Sequence, residues 1–176
     1  MVPTGGSFIG SAEQTGAAAM MAGDRASAGA GLQVIELGQG TATVTMSVRE
    51  DMVNGHGITH GGYVFLLADT AFACACNGDG VVTVAGGADI TFLAATRPGD
   101  ALTARAELRA RHGRSGVYDV SVTRTTDGVE EVVAEFRGRS RTVGRTHPPS
   151  QPGIGAGPAP ETMSRNDLRR TPAVQP

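Results

Sequence analysis

Residues 41–48 (TATVTMSV) alternate strictly. Ala42, Val44, Met46 and Val48 fall on one face and Thr or Ser on the other, the pattern of a strand with one buried face. Residues 32–37 predict a preceding strand, with the Gly38/Gly40 turn between the two. Upstream, Met20 to Ala30 predicts one short, weak helix. After a Gly-rich loop (54–62, NGHGITHGG), residues 63–76 (YVFLLADTAFACAC) are apolar almost all round, with helix formers and neither Gly nor Pro. That composition predicts a fully buried helix, stopped by Asn77-Gly78. Four strand-like runs follow, at 81–93, 101–111, 116–125 and 130–142, separated by Arg97-Pro98-Gly99-Asp100, His112-Gly113-Arg114 and Asp127-Gly128. The last two separators have hairpin chemistry. This order predicts an α+β domain: one antiparallel sheet curled around one long helix. A helix apolar on every side needs more cover than one sheet face supplies, so a second subunit is expected to provide the rest.

Composition narrows the class. The chain has 176 residues, of which 40% are hydrophobic and 18% charged, with a formal net charge of −2. That is room for one domain with tails. The missing basic surplus argues against nucleic acid as a partner. Residues 1–18 are unpatterned, and 146–176 hold seven of the nine prolines. Both ends are expected to be disordered and to flank a domain at 19–145. The RNDLRR stretch at 165–170 is read as part of a solvated tail. No run of about 18 apolar residues predicts a membrane span, and no basic n-region precedes the apolar stretch 17–23. Cys74 and Cys76 lie two apart on the predicted helix and cannot face each other. A reducing, cytoplasmic compartment is therefore expected, with no disulfide.

The chemistry concentrates on one helix and the loop before it. Asp69 is the only charged residue between His60 and Asn77. A lone carboxylate in an apolar helix costs several kcal/mol unless paired or neutralised. Its pKa is expected to rise, which makes it a candidate general base or nucleophile; the alternative is a structural Asp bonded to backbone or to Thr70. Gly61 and Gly62 open the helix, where N–H groups lack intrahelical acceptors and carry the positive end of the dipole. That outlines an oxyanion hole, although turn glycines alone are weak evidence. No phosphate-loop motif occurs, and a dinucleotide fingerprint starting at Gly55 meets His60 where it needs Gly. His56 and His60 are four apart, but flanking glycines oppose a helix there and a third ligand is missing, so no metal is expected. No G-x-S-x-G nucleophile motif occurs.

The block Asn54 to Asn77 (NGHGITHGGYVFLLADTAFACACN) resembles the signature of hotdog-fold acyl-CoA thioesterases of the phenylacetate-degradation type. The likeness continues in RPGD at 97–100, SGVYDVSV at 115–122 and FRGRSR at 136–141, and covers roughly residues 20–145. The resemblance implies a hotdog fold, hydrolysis of aryl-acetyl-CoA esters such as hydroxyphenylacetyl-CoA, and no metal or bound cofactor. It also implies homodimers with a continuous sheet, pairing as dimers of dimers, and sites shared across the dimer interface. Carried over by position, Asp69 is the acidic catalyst and Gly61 the amide that holds the thioester oxygen. His60 and Asn54 support the loop and order substrate or water. Gly62, Tyr63, Phe65 and Phe72 are expected around the acyl group, and Arg114, Ser115 and Gly116 near the CoA nucleotide. The chain departs from the family pattern in two places. Phe92-Leu93-Ala94-Ala95-Thr96 replaces a form like F-L-R-P, and Gly86-Gly87 stand where relatives carry a water-holding Ser or Thr, leaving Thr83 or Thr91 as substitutes. Two rival functions remain at this point: a non-catalytic acyl-CoA-binding hotdog module, and an enoyl-CoA hydratase or dehydratase casting Asp69 with His60.

Overall fold

The computed structural model describes residues 16–146. Two short helices, α1 (Gly16–Ala22) and α2 (Arg25–Gly29), lead into strands β1 (Gln33–Leu37) and β2 (Thr41–Ser47). A short 3-10 turn (Glu50–Met52) precedes the long helix α3 (Gly61–Cys76). Strands β3 (Val81–Phe92), β4 (Ala101–His112), β5 (Ser115–Thr126) and β6 (Val129–Thr146) complete one sheet. Its order is β1-β2-β4-β5-β6-β3, every pair antiparallel. This is the expected α+β arrangement, a sheet curled around a central helix.

The alternation read from the sequence sets the concave face. Ala42, Ala106, Val120, Phe136 and Ile90 align across five strands in one row. Four of the five are buried, and they meet Leu67, Ala68, Ala71, Phe72 and Ala75 of α3 in the core. Alanines on α3 and β4 let the helix lie close to the sheet. The closest seat is Gly138 on β6: a Cβ there would stand 2.7–2.8 Å from three Phe72 ring atoms. Phe72 also packs against Tyr118, with ring centroids 5.4 Å apart.

Three expectations need correction. The single helix at 20–30 is two helices, because Gly23-Asp24 interrupts it and Asp24 caps α2 by accepting from the Ser27 N–H (3.0 Å). Helix α1 begins at Gly16, inside the segment expected to lack structure, and Ala17 is fully buried. The remainder of 1–18, the boundary at 146 and the 165–170 stretch lie largely or wholly outside the described residues. Finally, α3 is not buried on every side in one chain. Gly62 and Phe65 are exposed, and Leu66, Asp69 and Ala73 only partly covered. The stripe is open because the sheet covers one side of α3 and the Ser27–Thr70 hydroxyl contact (2.9 Å) fixes α2 on another. Phe65 packs edge-on against Phe136 of β6 (5.4 Å), so the open stripe runs on the side of β3, an edge strand whose outer edge is unpaired among the described residues. Val84 and Phe92 of that strand are exposed apolar residues.

Candidate active site

The loop before α3 is closed by its own backbone. The Asn54 N–H donates to the Ile58 carbonyl (2.8 Å) and the Gly57 N–H to the Asn54 carbonyl (3.0 Å), while Gly57 takes φ +72°, where a side chain is strained. The His56 N–H donates to Asn54 Oδ1 (2.9 Å). That fixes the amide with Nδ2 free as a donor, since no partner for it occurs among the described residues. The His60 N–H then donates to the Met52 carbonyl (2.8 Å) and brings the chain to the head of α3.

His60 is the N-cap: its Nδ1 accepts from the Gly62 N–H at 3.0 Å. An accepting Nδ1 carries no proton, so the ring is the Nε2–H tautomer in this geometry. The Tyr63 N–H donates to the His60 carbonyl (2.9 Å). With those two amides engaged, the Gly61 N–H has no partner among the described residues. It opens on a cleft of about 400 Å³. Asn54, Thr59, Gly61 and Thr96 supply its polar lining. The apolar walls are Ile58, Val64, Phe92, Leu93, Ala94 and Ala95. Every lining side chain is uncharged. A free amide at a helix N-terminus facing an apolar cleft is suited to holding an oxygen that gains negative charge.

Asp69 lies on the open stripe of α3, half-buried, with no hydrogen bond or ion pair among the described residues. Thr70 is not its partner, being engaged with Ser27. Burial raises the Asp69 pKa above its ordinary value. Eight residues separate Gly61 from Asp69, about 12 Å along a helix rising ~1.5 Å per residue. One chain therefore does not bring these two groups to the same carbonyl, and Asp69 does not line its own chain's cleft.

The other sequence candidates are dispersed. Tyr63 is partly covered and Phe65 exposed at the head of α3, outside the cleft wall. Phe72 is in the core, 1% exposed, not at the cleft, because its ring occupies the seat over Gly138. Arg114 and Ser115 are exposed in the β4–β5 turn, and Gly116 is buried against Ser140 and Tyr118. Those two side chains contact Cys76, the last residue of α3, so this turn lies at the opposite end of the helix from Gly61. Thr83 is engaged with Asn77, Val81 and Thr142. Thr91 pairs with Glu135, a residue bonded to Ser121 on the convex face. Neither lines the cleft. Gly86 is the extra residue of a bulge between Ala85 and Gly87. Among the described residues no group of three His, Cys, Asp or Glu is placed to hold a metal. Both cysteines are free and buried, their thiols pushed up to about 12 by burial. No described helix is long and apolar enough to cross a membrane.

Sequence reasoning singled out the 92–96 stretch only as a departure from the family pattern, and missed the contact that makes it the far wall of the cleft. Thr96 Oγ1 donates to Thr59 Oγ1 (2.6 Å), and the Thr59 N–H donates to the Thr96 carbonyl (2.8 Å). Both threonines are buried. Phe92 and Leu93 are the visible signal: large apolar residues at a strand end that remain 52% and 58% exposed.

Comparison with known proteins gives this geometry a context. Residues 56–131 match a family described as the thioesterase superfamily. The chain is 42% identical over 128 residues to the acyl-coenzyme A thioesterase PaaI of Escherichia coli K12, covering 73% of this chain and 89% of that protein. The solved structure of the E. coli PaaI protein from the phenylacetic acid degradation operon superposes with a TM-score of 0.71, over 74% of this chain and 93% of that one. A mutant of the phenylacetic acid degradation protein PaaI from Thermus thermophilus is similar at 33% identity and TM-score 0.64, covering 68% and 100%. A protein of Streptococcus pneumoniae TIGR4 described as a hypothetical thioesterase, solved with coenzyme A, is 25% identical with TM-score 0.60, covering 65% and 88%.

Proposed function

The chain belongs to the thioesterase superfamily and has its hotdog fold, and from that premise we propose that it hydrolyses acyl-CoA thioesters, aryl-acetyl esters such as phenylacetyl-CoA foremost, at sites shared between two copies. The observation that carries this reading is the unpartnered Gly61 N–H on an uncharged cleft, with an unpartnered carboxylate, Asp69, about 12 Å along the same helix. A second chain is the simplest source of the missing half of each site. The open stripe of α3 and the unpaired edge of β3 support such pairing, with the six-stranded sheet continued through two β3 strands. A dimer of dimers extends the same proposal.

In this mechanism the thioester oxygen lies against the Gly61 N–H of one chain. Asp69 of the partner subunit takes a proton from water as the water oxygen attacks the carbonyl carbon. The carbonyl π electrons move onto oxygen, where the amide and the helix dipole stabilise them. Collapse of the tetrahedral state breaks the C–S bond and releases free acid and CoA thiolate, which takes the proton held by Asp69 and restores the carboxylate. The alternative is direct attack by the carboxylate, giving an anhydride that water then opens. Asn54 Nδ2 is a second donor toward the bound oxygen or water. His60 holds the helix head and leaves the Gly61 amide free. Arg114, Ser115 and Gly116, distant from Gly61 in one chain, are assigned to the nucleotide end of CoA. No metal or cofactor enters these steps.

Thiol release from a panel of acyl-CoAs, with wild type beside Asp69→Asn, tests the reading. Turnover that collapses in the variant is expected. Equal turnover in both moves the catalyst elsewhere. CoA esters bound by both and cleaved by neither identify a binding module, and loss of enoyl absorbance without thiol release identifies a hydratase.

A further inference from the structure

We propose that Phe92 determines which acyl groups the cleft accepts, by presenting its ring edge beside the carbonyl held at Gly61. The inference rests on the thioesterase reading above and adds the residue that sets selectivity. A Cβ built on Gly61 would stand 2.9 Å from Phe92 Cζ and 3.4 Å from Cε1 and Cε2. The outer edge of the ring therefore abuts the Gly61 Cα. At the first position of a helix, the free N–H and the direction a Cβ would take both lean toward the N-terminus. An oxygen bound to that N–H thus lies next to the ring, and the carbon chain attached to the carbonyl passes along it.

The ring is carried on a tethered wall, not a loose flap. Phe92 ends β3, and both the Leu93 and Ala94 N–H groups donate to the Val133 carbonyl (2.9 and 3.2 Å). Arg124 donates to the Ala95 carbonyl (3.2 Å) and to Asp100 (3.0 Å). The Thr59–Thr96 pair then clasps this wall to the loop that leads into α3. The backbone that carries the ring and the backbone that presents the amide are joined by one connected set of bonds, so the ring's point of attachment is fixed relative to the amide.

Chemistry of the wall selects the ligand class. With only uncharged side chains of its own chain around the cleft, and a carboxylate, the partner subunit's Asp69, as the charge brought to it in the proposed dimer, an acyl group bearing a second carboxylate gains no partner and loses its hydration. A ring edge prefers the face of another ring, with centroids 4.5–7 Å apart as a general rule. A flat aryl group joined to the carbonyl through one methylene meets that requirement, whereas a methyl group is too short to reach the ring.

The test compares kcat/KM for phenylacetyl-CoA, acetyl-CoA and succinyl-CoA in wild type, Phe92→Ala and Phe92→Leu, with melting temperatures for all three proteins. Phe92 is half exposed, so both variants are expected to fold. Phe92→Ala is expected to lose about tenfold more with phenylacetyl-CoA than with acetyl-CoA, the upper end of an aromatic pair's worth. Phe92→Leu restores apolar bulk without the ring and falls between. Succinyl-CoA is expected to be poor in every case. Equal losses on phenylacetyl- and acetyl-CoA, or no change on either, overturn the role of Phe92 while leaving the thioesterase reading intact. Absence of any thiol release from wild type overturns that reading, and this inference with it.

Discussion

Replacing Gly61 by Pro removes one hydrogen-bond donor and little else. Gly61 is the first residue of α3, where Pro is tolerated because its missing N–H has no intrahelical partner in any residue. His60 already has φ −63° and ψ 127°, the extended region that a residue before proline prefers. The new ring carbons approach Phe92 Cζ, within 2.9 Å of a Cβ position, but that atom is the far end of a half-exposed side chain that can swing away. If the Gly61 N–H stabilises the oxyanion, its loss costs about 2.7–4 kcal/mol, or about 10²–10³ in kcat. Gly61→Ala carries the same Cβ and keeps the N–H, so it isolates the steric part. The assay is thiol release at saturating phenylacetyl-CoA for both variants, with thermal melting to show that both fold. A folded Gly61→Pro protein with kcat within about tenfold of Gly61→Ala, a gap of about 1.4 kcal/mol or less, refutes the assignment of this amide.

Three further outcomes follow from the geometry. Burial raises the Asp69 pKa, so the ionised form is disfavoured in the folded state: the contribution of this group to stability is present at low pH and lost as pH rises through its folded pKa. Asp69→Asn should therefore melt no lower than wild type at pH 7, with any advantage shrinking on acidification, while the wild-type rate falls on the acid side at an apparent pKa above the ordinary 3.8 of Asp; a rate flat down to about pH 4 contradicts Asp69 as base. Gly138→Ala drives a methyl into the Phe72 ring and should destabilise by about 1–3 kcal/mol in denaturant titration; wild-type stability in this variant contradicts the core placement of Phe72. Thr96→Val leaves the buried Thr59 hydroxyl without its donor and should cost about 1–3 kcal/mol, with a fall in kcat as the wall loosens from the α3 loop. Unchanged stability shows that the clasp is not a constraint.

The strands were readable because each buries one face: the alternation of Ala42, Val44 and Met46 with Thr41, Thr43 and Thr45 survives intact in β2. Asp69 was readable because one carboxylate stands alone in an apolar helix. The same apolarity hid the orientation of α3. With hydrophobic residues on every side there was no periodicity to say that Phe65 faces the open stripe and Phe72 the core. Only Gly138, 66 positions further along the chain, marks the seat of Phe72. The cleft wall was hidden for a related reason. Thr59 and Thr96 meet across 37 residues, and no local pattern records a contact set by the curl of the sheet. The break in the first helix was locally visible, since Gly23-Asp24 is a stop followed by a cap, but the weak apolar pattern on either side concealed it.

In the proposed dimer each site takes its amide from one chain and its carboxylate from another. Mixing Gly61→Pro with Asp69→Asn tests this directly, after both inactive proteins are unfolded together and refolded. In a mixed dimer one site joins an intact Gly61 to an intact Asp69, and the other holds both changes. Random pairing makes about half the dimers mixed, so about one quarter of wild-type specific activity should return (from the two-fold symmetry of the pairing). No activity beyond the sum of the two parents, with mixed dimers shown to have formed, would mean that Gly61 and Asp69 do not meet across subunits.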